Sequence, residues 1–598
     1  MCRFIIHKKV QNNMNYKLKK FEKGEREMKF GVVVKSLKPL LGDEKKSLFF
    51  ALIAITINSA VNLLTPFIIA RTIDTYIVSK NFHGVVMSSL FLAFIYIFGL
   101  VAGYLQIKIM GGVGRRVLFK LRNKIFNKLQ ELPVAFFNAN KAGDLISRIN
   151  NDTDKLNQFF SQALVQIVGN LFLMLGAGIF LISLNVKLGV IALLPALIVI
   201  IITQFISGWI KRASMKSLQS VGGMSGEIQE SLENFKVIVA FNRLDYFRKK
   251  FNTVNEENYK ASLKAGVASN ILTPIYGVAA NIAQVAVLAF GIMMILSGNL
   301  TLGLIVGFLL YLNNFYMPLR QLAATWSSLQ LAIASLDRIS EVLDLESNIK
   351  VLDTKKTISD GSVLAFENVS FKYTEGKEVF HNVNFSLEHG KTYAFVGPTG
   401  GGKTTTASLM ARLFDPTEGT VYLDGKDIRS VSLEERTKHI GFILQEPFIF
   451  TGTVAENILY SNEDFKDYSS EKLLELLKKE NIDSLLQRFE NGLDTKVGIT
   501  SSISLGQKQL IAFMRAILRK PELLILDEAT ANIDTVTEQL LEEILQKLPK
   551  ETTKVIIAHR LNTIENADDI FFVNAGSITH AGTFDNAISM IMNGKRTS

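Results

Sequence analysis

Six apolar runs dominate the first half of the chain: Leu48–Ile69, Val85–Ile107, Leu164–Leu184, Leu188–Ile210, Val267–Leu296 and Leu302–Leu322. As helices rising 1.5 Å per residue, each is long enough to cross a hydrocarbon core of about 30 Å. A single run of this kind also fits a buried helix of a soluble protein, but six in one chain do not. Isolated polar residues interrupt the runs, Asn62, Gln166 and Asn313 among them. They are placed either to line an aqueous cavity or to hydrogen-bond between helices. Two long polar segments, about 108–160 and 211–266, separate the second run from the third and the fourth from the fifth. Both carry apolar residues at helical spacing and few helix breakers. Each turns in a short stretch, 136–145 and 230–242, which reads either as a contact point for another domain or as the tip of a solvated hairpin.

Beyond about residue 350 the pattern changes to short apolar strands alternating with helical stretches, the pattern of a soluble α/β domain. The strand Thr392–Val396 leads into Gly397, Pro398, Thr399, Gly400, Gly401, Gly402, Lys403 and Thr404, with a helix expected over Thr405–Leu413. This is a full match to G-x-x-x-x-G-K-[ST] in a strand–loop–helix setting. Its glycines let several backbone N–H groups converge on one anion at the positive end of a helix. Lys403 adds a point charge for the β/γ-phosphates of ATP, and Thr404 offers a hydroxyl to Mg²⁺.

Three more strand ends carry matching chemistry. Leu523–Leu526 ends in Asp527 and Glu528. Asp527 is suited to the Mg²⁺ shell, and Glu528 to polarising a water for in-line attack on the γ-phosphate. Lys554–Ala558 ends at His559, where the same strand-end placement favours a γ-phosphate contact. Gln445 follows Ile440–Leu444, where its amide is either within reach of Mg²⁺ or water or simply a polar loop residue.

Charge is unevenly spread. The net charge is +11, and residues 1–46 alone hold 13 Lys and Arg against 5 Asp and Glu. The long polar segments carry many more basic residues, whereas the short loops 183–187 and 297–301 carry only Lys187. That asymmetry points to a membrane topology rather than nucleic-acid binding. It places the N-terminus, the long loops and the C-terminal domain in the cytoplasm. The basic N-terminus reads as a disordered or membrane-surface segment, with Val32–Val34, Leu37, Leu40 and Leu41 suited to a short interfacial helix. No cleavable signal sequence is expected. With Cys2 as the sole cysteine, neither a disulfide framework nor a metal cluster is expected.

Taken together, these residues resemble the ABC transporter superfamily, specifically exporters with six spans fused to one nucleotide-binding domain. Gly397–Thr404 resembles Walker A, Leu523–Asp527 resembles Walker B, and Glu528 its catalytic glutamate. Gln445 is similar to the Q-loop residue, Asp534 to the D-loop aspartate, His559 to the switch histidine and Tyr373 to the aromatic that stacks on adenine. In the first half, 131–138 with 143–148 resembles the first cytoplasmic loop of these exporters, and 227–230 with 236–242 the second. The resemblance implies that both loop tips are coupling helices. It also implies an all-α six-helix transmembrane domain followed by an α/β P-loop ATPase domain. The limits expected are 1–32 for the basic segment, 33–340 for the transmembrane domain, 341–360 for a linker and 361–598 for the ATPase domain. The nucleotide contacts implied include Thr405 as well as the loop itself.

One motif departs from the family. The usual Leu-Ser-Gly-Gly-Gln signature appears as Ile503, Ser504, Leu505, Gly506, Gln507. Ser504, Gly506 and Gln507 remain able to meet a γ-phosphate, but Leu505 replaces a glycine, restricting φ and adding bulk. The preceding stretch, 497–502, lacks the usual glutamate and is one residue short. In this family two ATPase domains sandwich two ATP molecules, each held between one chain's Walker motifs and the other's signature. One set of motifs therefore implies a second half-transporter. The Leu505 signature favours a heterodimer over a homodimer. The expectation is an ATP-driven exporter or flippase in a bacterial plasma membrane, acting on an amphipathic drug or lipid. The rival is an ATP-gated regulator or channel, but the spans lack the rings of charge a pore would favour.

Overall fold

The computed structural model of the chain describes residues 16–18, 42–347, 349, 351–354, 356–358, 361–373, 376, 378–460, 462–498, 503–528, 534–557 and 562–594. It divides into two compact units. One comprises Lys20–Gln130 and Gly143–Asp344, and the other Met1–Lys19, Glu131–Ala142 and Leu345–Ser598.

Six long helices make up the first unit: α1 (Gly42–Ile77), α2 (Phe82–Glu131), α4 (Ala142–Leu184), α5 (Val186–Glu233), α7 (Leu244–Leu296) and α8 (Leu302–Leu343). Two short helices, α3 (Val134–Ala139) and α6 (Phe235–Ala240), sit at the turns expected at the loop tips. At 50 residues α2 spans about 75 Å, more than twice the hydrocarbon core, so the polar segments are continuations of the spans rather than loops. The helices pack through small residues: Ala177, Ala192, Ala196, Ala279 and Ala283 are buried among Leu181, Leu188, Val287 and Phe308. Without a hydrophobic drive between helices in lipid, such close approach and interhelical hydrogen bonds hold the bundle. Tyr311 Oη donates to Leu63 O at 2.7 Å, and Tyr316 Oη to Ala192 O at 2.9 Å. Of the polar residues with two readings, Gln166 bonds between helices, its Oε1 accepting from Thr325 Oγ1 at 3.3 Å. Asn62 instead donates to Asn58 O in its own helix. Toward the far end of α8 the buried Arg148 guanidinium reaches Asp144 at 3.0 Å and Glu341 at 2.8 Å. Helix α8 continues to Leu343, past the limit of 340 expected for the transmembrane domain.

The second unit is strand-rich. In chain order its strands are β1 (Ser362–Lys372), β2 (Glu378–Glu388), β3 (Thr392–Val396), β4 (Glu418–Leu423), β5 (Lys426–Asp427), β6 (Ile440–Ile443), β7 (Gly452–Thr453), β8 (Lys496–Val497), β9 (Leu523–Asp527), β10 (Thr553–Ile557), β11 (Asp569–Asn574) and β12 (Ser577–Gly582). An antiparallel sheet has the order β2-β1-β4-β5, and a six-stranded sheet the order β12-β11-β3-β10-β9-β6. In the latter, every pairing but β11–β12 is parallel. Alternate residues of β9 serve two cores. Leu523 and Ile525 pack with Phe366, Phe395 and Val421, whereas Leu524 and Leu526 pack with Leu473, Leu510 and Phe513. A strand buried on both faces explains why Leu523–Leu526 is apolar without alternation.

Within the segment expected to be disordered, Tyr16–Leu18 are seated in this unit. Leu18 N donates to Asn140 Oδ1 at 2.9 Å, and Asn140 Nδ2 donates to Tyr16 O at 2.8 Å. Two backbone groups satisfied by one amide, and the burial of Tyr16 and Leu18, account for the order. The rest of 1–41, including the expected interfacial helix, lies outside the described residues.

Candidate nucleotide site

Parallel pairing sends the C-terminal ends of β3, β6, β9 and β10 to one sheet edge, the usual ligand edge of an open α/β sheet. Ile557 of β10 is in register with Phe395 of β3 and with Asp527 of β9. The phosphate loop therefore opens beside the acidic end of β9.

Backbone conformation demands the glycines. Gly397 has φ +149, and a Cβ there would lie 2.0 Å from Val573 O. Gly402 has φ +112, and its Cβ would lie 2.7 Å from the Phe380 ring. Gly402 is also the N-cap of helix α9 (Lys403–Met410). This helix starts two residues earlier and ends three residues earlier than the expected Thr405–Leu413. The left-handed Gly402 turns the chain directly into the helix, and Arg412, at φ +51, keeps it from continuing.

Lys403 is buried, with Nζ donating to Gly397 O at 2.9 Å and Pro398 O at 3.0 Å. Burial pulls its ammonium below the usual lysine range, while the charges of Glu528 and Asp527 pull the other way. A desolvated cation bonded to carbonyls, beside glycines at 397 and 402 where a Cβ would clash, suits a phosphate chain. Thr404 Oγ1 donates to Asp527 Oδ1 at 3.2 Å. These are hard oxygen donors, the type Mg²⁺ takes. Glu528, at φ +49, leaves β9 in a left-handed turn, its N–H donating to Ile557 O at 3.2 Å. Gln445 Nε2 donates to Glu528 Oε2 at 2.5 Å. Tyr373 Oη is 2.9 Å from Thr405 Oγ1, and its ring meets Phe371 and Phe414 edge-on, at centroid distances of 4.9 and 5.4 Å. His559 lies outside the described residues.

A separate group forms around helix α11 (Leu505–Ile517). Here Ser504 is the N-cap in a capping box: its hydroxyl accepts from Gln507 N, and Gln507 Oε1 accepts from Ser504 N at 2.8 Å. Leu505, the first helical residue, keeps a right-handed helical backbone, so the restriction on φ expected for it imposes no strain. Residues 499–502, the shortened approach to the signature, lie outside the described residues. Asp534 caps helix α12 (Thr535–Lys547), accepting from Thr537 N at 3.0 Å and Thr537 Oγ1 at 2.6 Å.

Sequence reasoning missed Arg488, which joins these two caps. Its carbonyl accepts from Gln507 Nε2 at 2.6 Å, and its guanidinium lies 3.8 Å from Asp534 Oδ1. Among the described residues, no hydrogen bond or ion pair connects Ser504, Gly506 or Gln507 to the phosphate loop. The described residues thus form two separate groups: one suited to phosphate and one that presents a capped helix N-terminus.

Comparison with known proteins agrees with both units. Residues 48–319 match the family described as ABC transporter transmembrane region, and residues 380–531 the one described as ABC transporter. An uncharacterized ABC transporter ATP-binding protein, YfiC, of Bacillus subtilis is 34% identical over 553 residues, covering 92% of this chain and 91% of that one. A fatty acid ABC transporter ATP-binding/permease protein of Mycobacterium bovis is 33% identical over 80% of this chain and 75% of its own. A multidrug resistance ABC transporter ATP-binding and permease protein of Lactococcus lactis subsp. cremoris is 30% identical, covering 91% of each chain. With six apolar helices ahead of a nucleotide-binding ATPase unit, the chain belongs to the ABC transporter superfamily, as a multi-pass half-transporter of the multidrug and lipid exporter type whose ATPase drives export.

Proposed function

We propose that this half-transporter pairs with a different half-transporter, and that the pair exports or flips an amphipathic drug or lipid. The pairing rests on one observation. Leu505 sits partly buried in the first turn of α11, beside Ser504 and Gly506, where the family signature has glycine. Since its backbone is helical, what Leu505 changes is bulk at a helix N-terminus that has to meet a nucleotide. Two copies of this chain would present that bulk to both nucleotides. Paired with a related chain, the site carrying Glu528 receives a standard signature, and the Leu505 signature caps the partner's weaker site.

In this reading the loop Gly397–Thr404 and Thr405 hold the phosphates, and Tyr373 stacks on adenine. Thr404, Asp527 and Gln445 hold Mg²⁺, which when bound neutralises charge developing on the phosphates. Glu528 polarises the attacking water, and His559 contacts the γ-phosphate. Ser504, Gly506, Gln507 and Asp534 face the nucleotide across the dimer. Helices α3 and α6 act as coupling helices that transmit closure of the ATPase domains to an inward- or outward-facing cavity. The excess of Lys and Arg on the long segments supports a cytoplasmic N-terminus and ATPase domain in a plasma membrane. The limits 33–340, 341–360 and 361–598 are kept as approximate domain bounds, with α8 running three residues past the first. The substrate class is supported by the few charges in the spans and by relatives named for fatty acid and multidrug transport.

The test is to purify the chain alone and together with candidate partner half-transporters. We expect substrate-stimulated ATPase activity only from a mixed complex. A stable dimer of the chain alone, with full substrate-stimulated turnover, overturns the heterodimer.

A further inference from the structure

A second group of ligating side chains gathers at the opposite end of β9 from Asp527. Glu522 immediately precedes β9, Asp424 lies in the turn between β4 and β5, and His439 is the last residue of helix α10 (Leu433–His439). One ligand atom from each lies within 4.8 Å of the others. His439 Nδ1 is 2.9 Å from Glu522 Oε2 and 3.3 Å from Asp424 Oδ2. His389, in the turn after β2, brings Nε2 to 3.6 Å from the other oxygen of Asp424. Two imidazoles and two carboxylates thus converge from four elements that are distant in sequence.

Their chemistry is short of positive charge. Asp424 Oδ1 is buried and makes no hydrogen bond. A cation held by Asp424 Oδ2, Glu522 Oε2 and His439 Nδ1 would offset the two carboxylate charges that the fold brings together there. The donor set selects the cation. Ca²⁺ and Mg²⁺ take oxygen ligands, whereas imidazole nitrogen with carboxylate oxygen suits Zn²⁺. Zinc bonds of about 2.0–2.2 Å in a tetrahedron set ligand atoms about 3.3–3.6 Å apart; the His439–Asp424 separation of 3.3 Å matches, and the His439–Glu522 pair, hydrogen-bonded at 2.9 Å, has to open by a few tenths of an ångström to admit the ion.

We propose that His439 Nδ1, Asp424 and Glu522 form a zinc site in the ATPase unit, with the His389 imidazole 3.6 Å from the remaining oxygen of Asp424 as its outer neighbour. Ligand carboxylates and imidazoles are ordinarily held by such outer partners. The ion ties the β4–β5 turn and the end of α10 to the start of β9, the strand that carries Asp527 at its other end. The site is independent of how the chain pairs and of what it exports.

The experiment is a Zn²⁺ titration of the full chain, purified without an affinity tag and kept in excess Mg²⁺, with bound metal counted after desalting. We expect about one zinc ion per chain. His439→Gln and the isosteric Glu522→Gln should each weaken binding by about 100-fold or more, and His389→Gln by about tenfold at most. Zinc should also raise the unfolding temperature of the wild-type chain and not that of His439→Gln or Glu522→Gln, since a ligand bound only by the folded state stabilises it. Equal zinc on the wild type and all three variants means adventitious surface binding and overturns the proposal. So does a wild type that takes up no zinc, or variants that lose stability equally with and without zinc.

Discussion

Thr404 Oγ1 and Asp527 Oδ1 lie 3.2 Å apart although 123 residues separate them in the chain. They meet because β10 lies between β3 and β9, parallel to both, so that the residues following Val396 and those ending β9 reach the same edge. Lys403 stands next to this pair, and its depressed ammonium shows that two nearby carboxylates do not offset its burial. A phosphate chain would supply an anionic contact for it. The same edge holds Gln445 against Glu528, so the groups proposed to meet phosphate, metal and water lie together in one chain.

Glu528→Gln separates binding from chemistry. The amide keeps the side chain's size and its contact with Gln445 but cannot accept a proton from water. Positioned general bases contribute about 100- to 10,000-fold, so turnover should fall by that order while ATP affinity stays within about threefold. Steady-state phosphate release and equilibrium binding of a labelled nucleotide check both halves. Near-normal turnover would remove Glu528 from the role.

Gly402→Ala tests the loop itself. At φ +112 an L-residue is strained, and the new Cβ would meet the Phe380 ring at 2.7 Å. Strain of about 1–3 kcal/mol at such positions corresponds to nucleotide binding weakened by roughly 5- to 150-fold. The far-UV spectrum should be unchanged. Wild-type affinity in this variant would show that the loop tolerates a Cβ and does not hold phosphate by close backbone approach.

The parts of the site that were legible in the sequence are those whose chemistry is local. Gly397–Thr404 is bound to a backbone shape that only glycines satisfy, and the run Leu523–Asp527 is apolar because β9 is buried on both faces. The limits of α9 were misread because they depend on the φ of Gly402 and Arg412, and an arginine in the left-handed region carries no sequence signal. Arg488 was invisible for a similar reason, since it serves Gln507 through its backbone carbonyl. The Asp424, His439 and Glu522 group has no characteristic spacing. It exists only because β6 lies beside β9 in the sheet, so the expectation of no metal cluster, drawn from the single cysteine, took no account of it.

Asp534 gives a pH-dependent readout. The Thr537 hydroxyl and N–H bonds, with Arg488 nearby, hold its carboxyl below the usual aspartate range. A carboxylate depressed in the folded state adds stability above its unfolded pKa, about 3.9, and loses it as pH falls through the lower folded value. Asp534→Asn keeps a good N-cap but does not titrate. Thermal unfolding should favour the wild type by a constant margin from neutral pH down to about pH 4, and the margin should close below that. A margin that instead widens on acidification would contradict the assigned cause.

Leu505→Gly addresses the pairing directly. Leu505 already has a helical backbone, so replacing it costs at most about 1 kcal/mol in helix propensity, and the Ser504–Gln507 capping box remains. What disappears is side-chain bulk at the helix N-terminus. In a mixed complex the substitution should raise hydrolysis at the partner's site and leave the Glu528 site as it was. The two are told apart by placing Glu528→Gln in this chain, which silences its own Walker site and leaves only the partner's to be measured. In the doubly substituted complex, residual turnover should rise severalfold over Glu528→Gln alone. No rise would mean that Leu505 is not what weakens that site, and the case for an unlike partner would lose its physical basis.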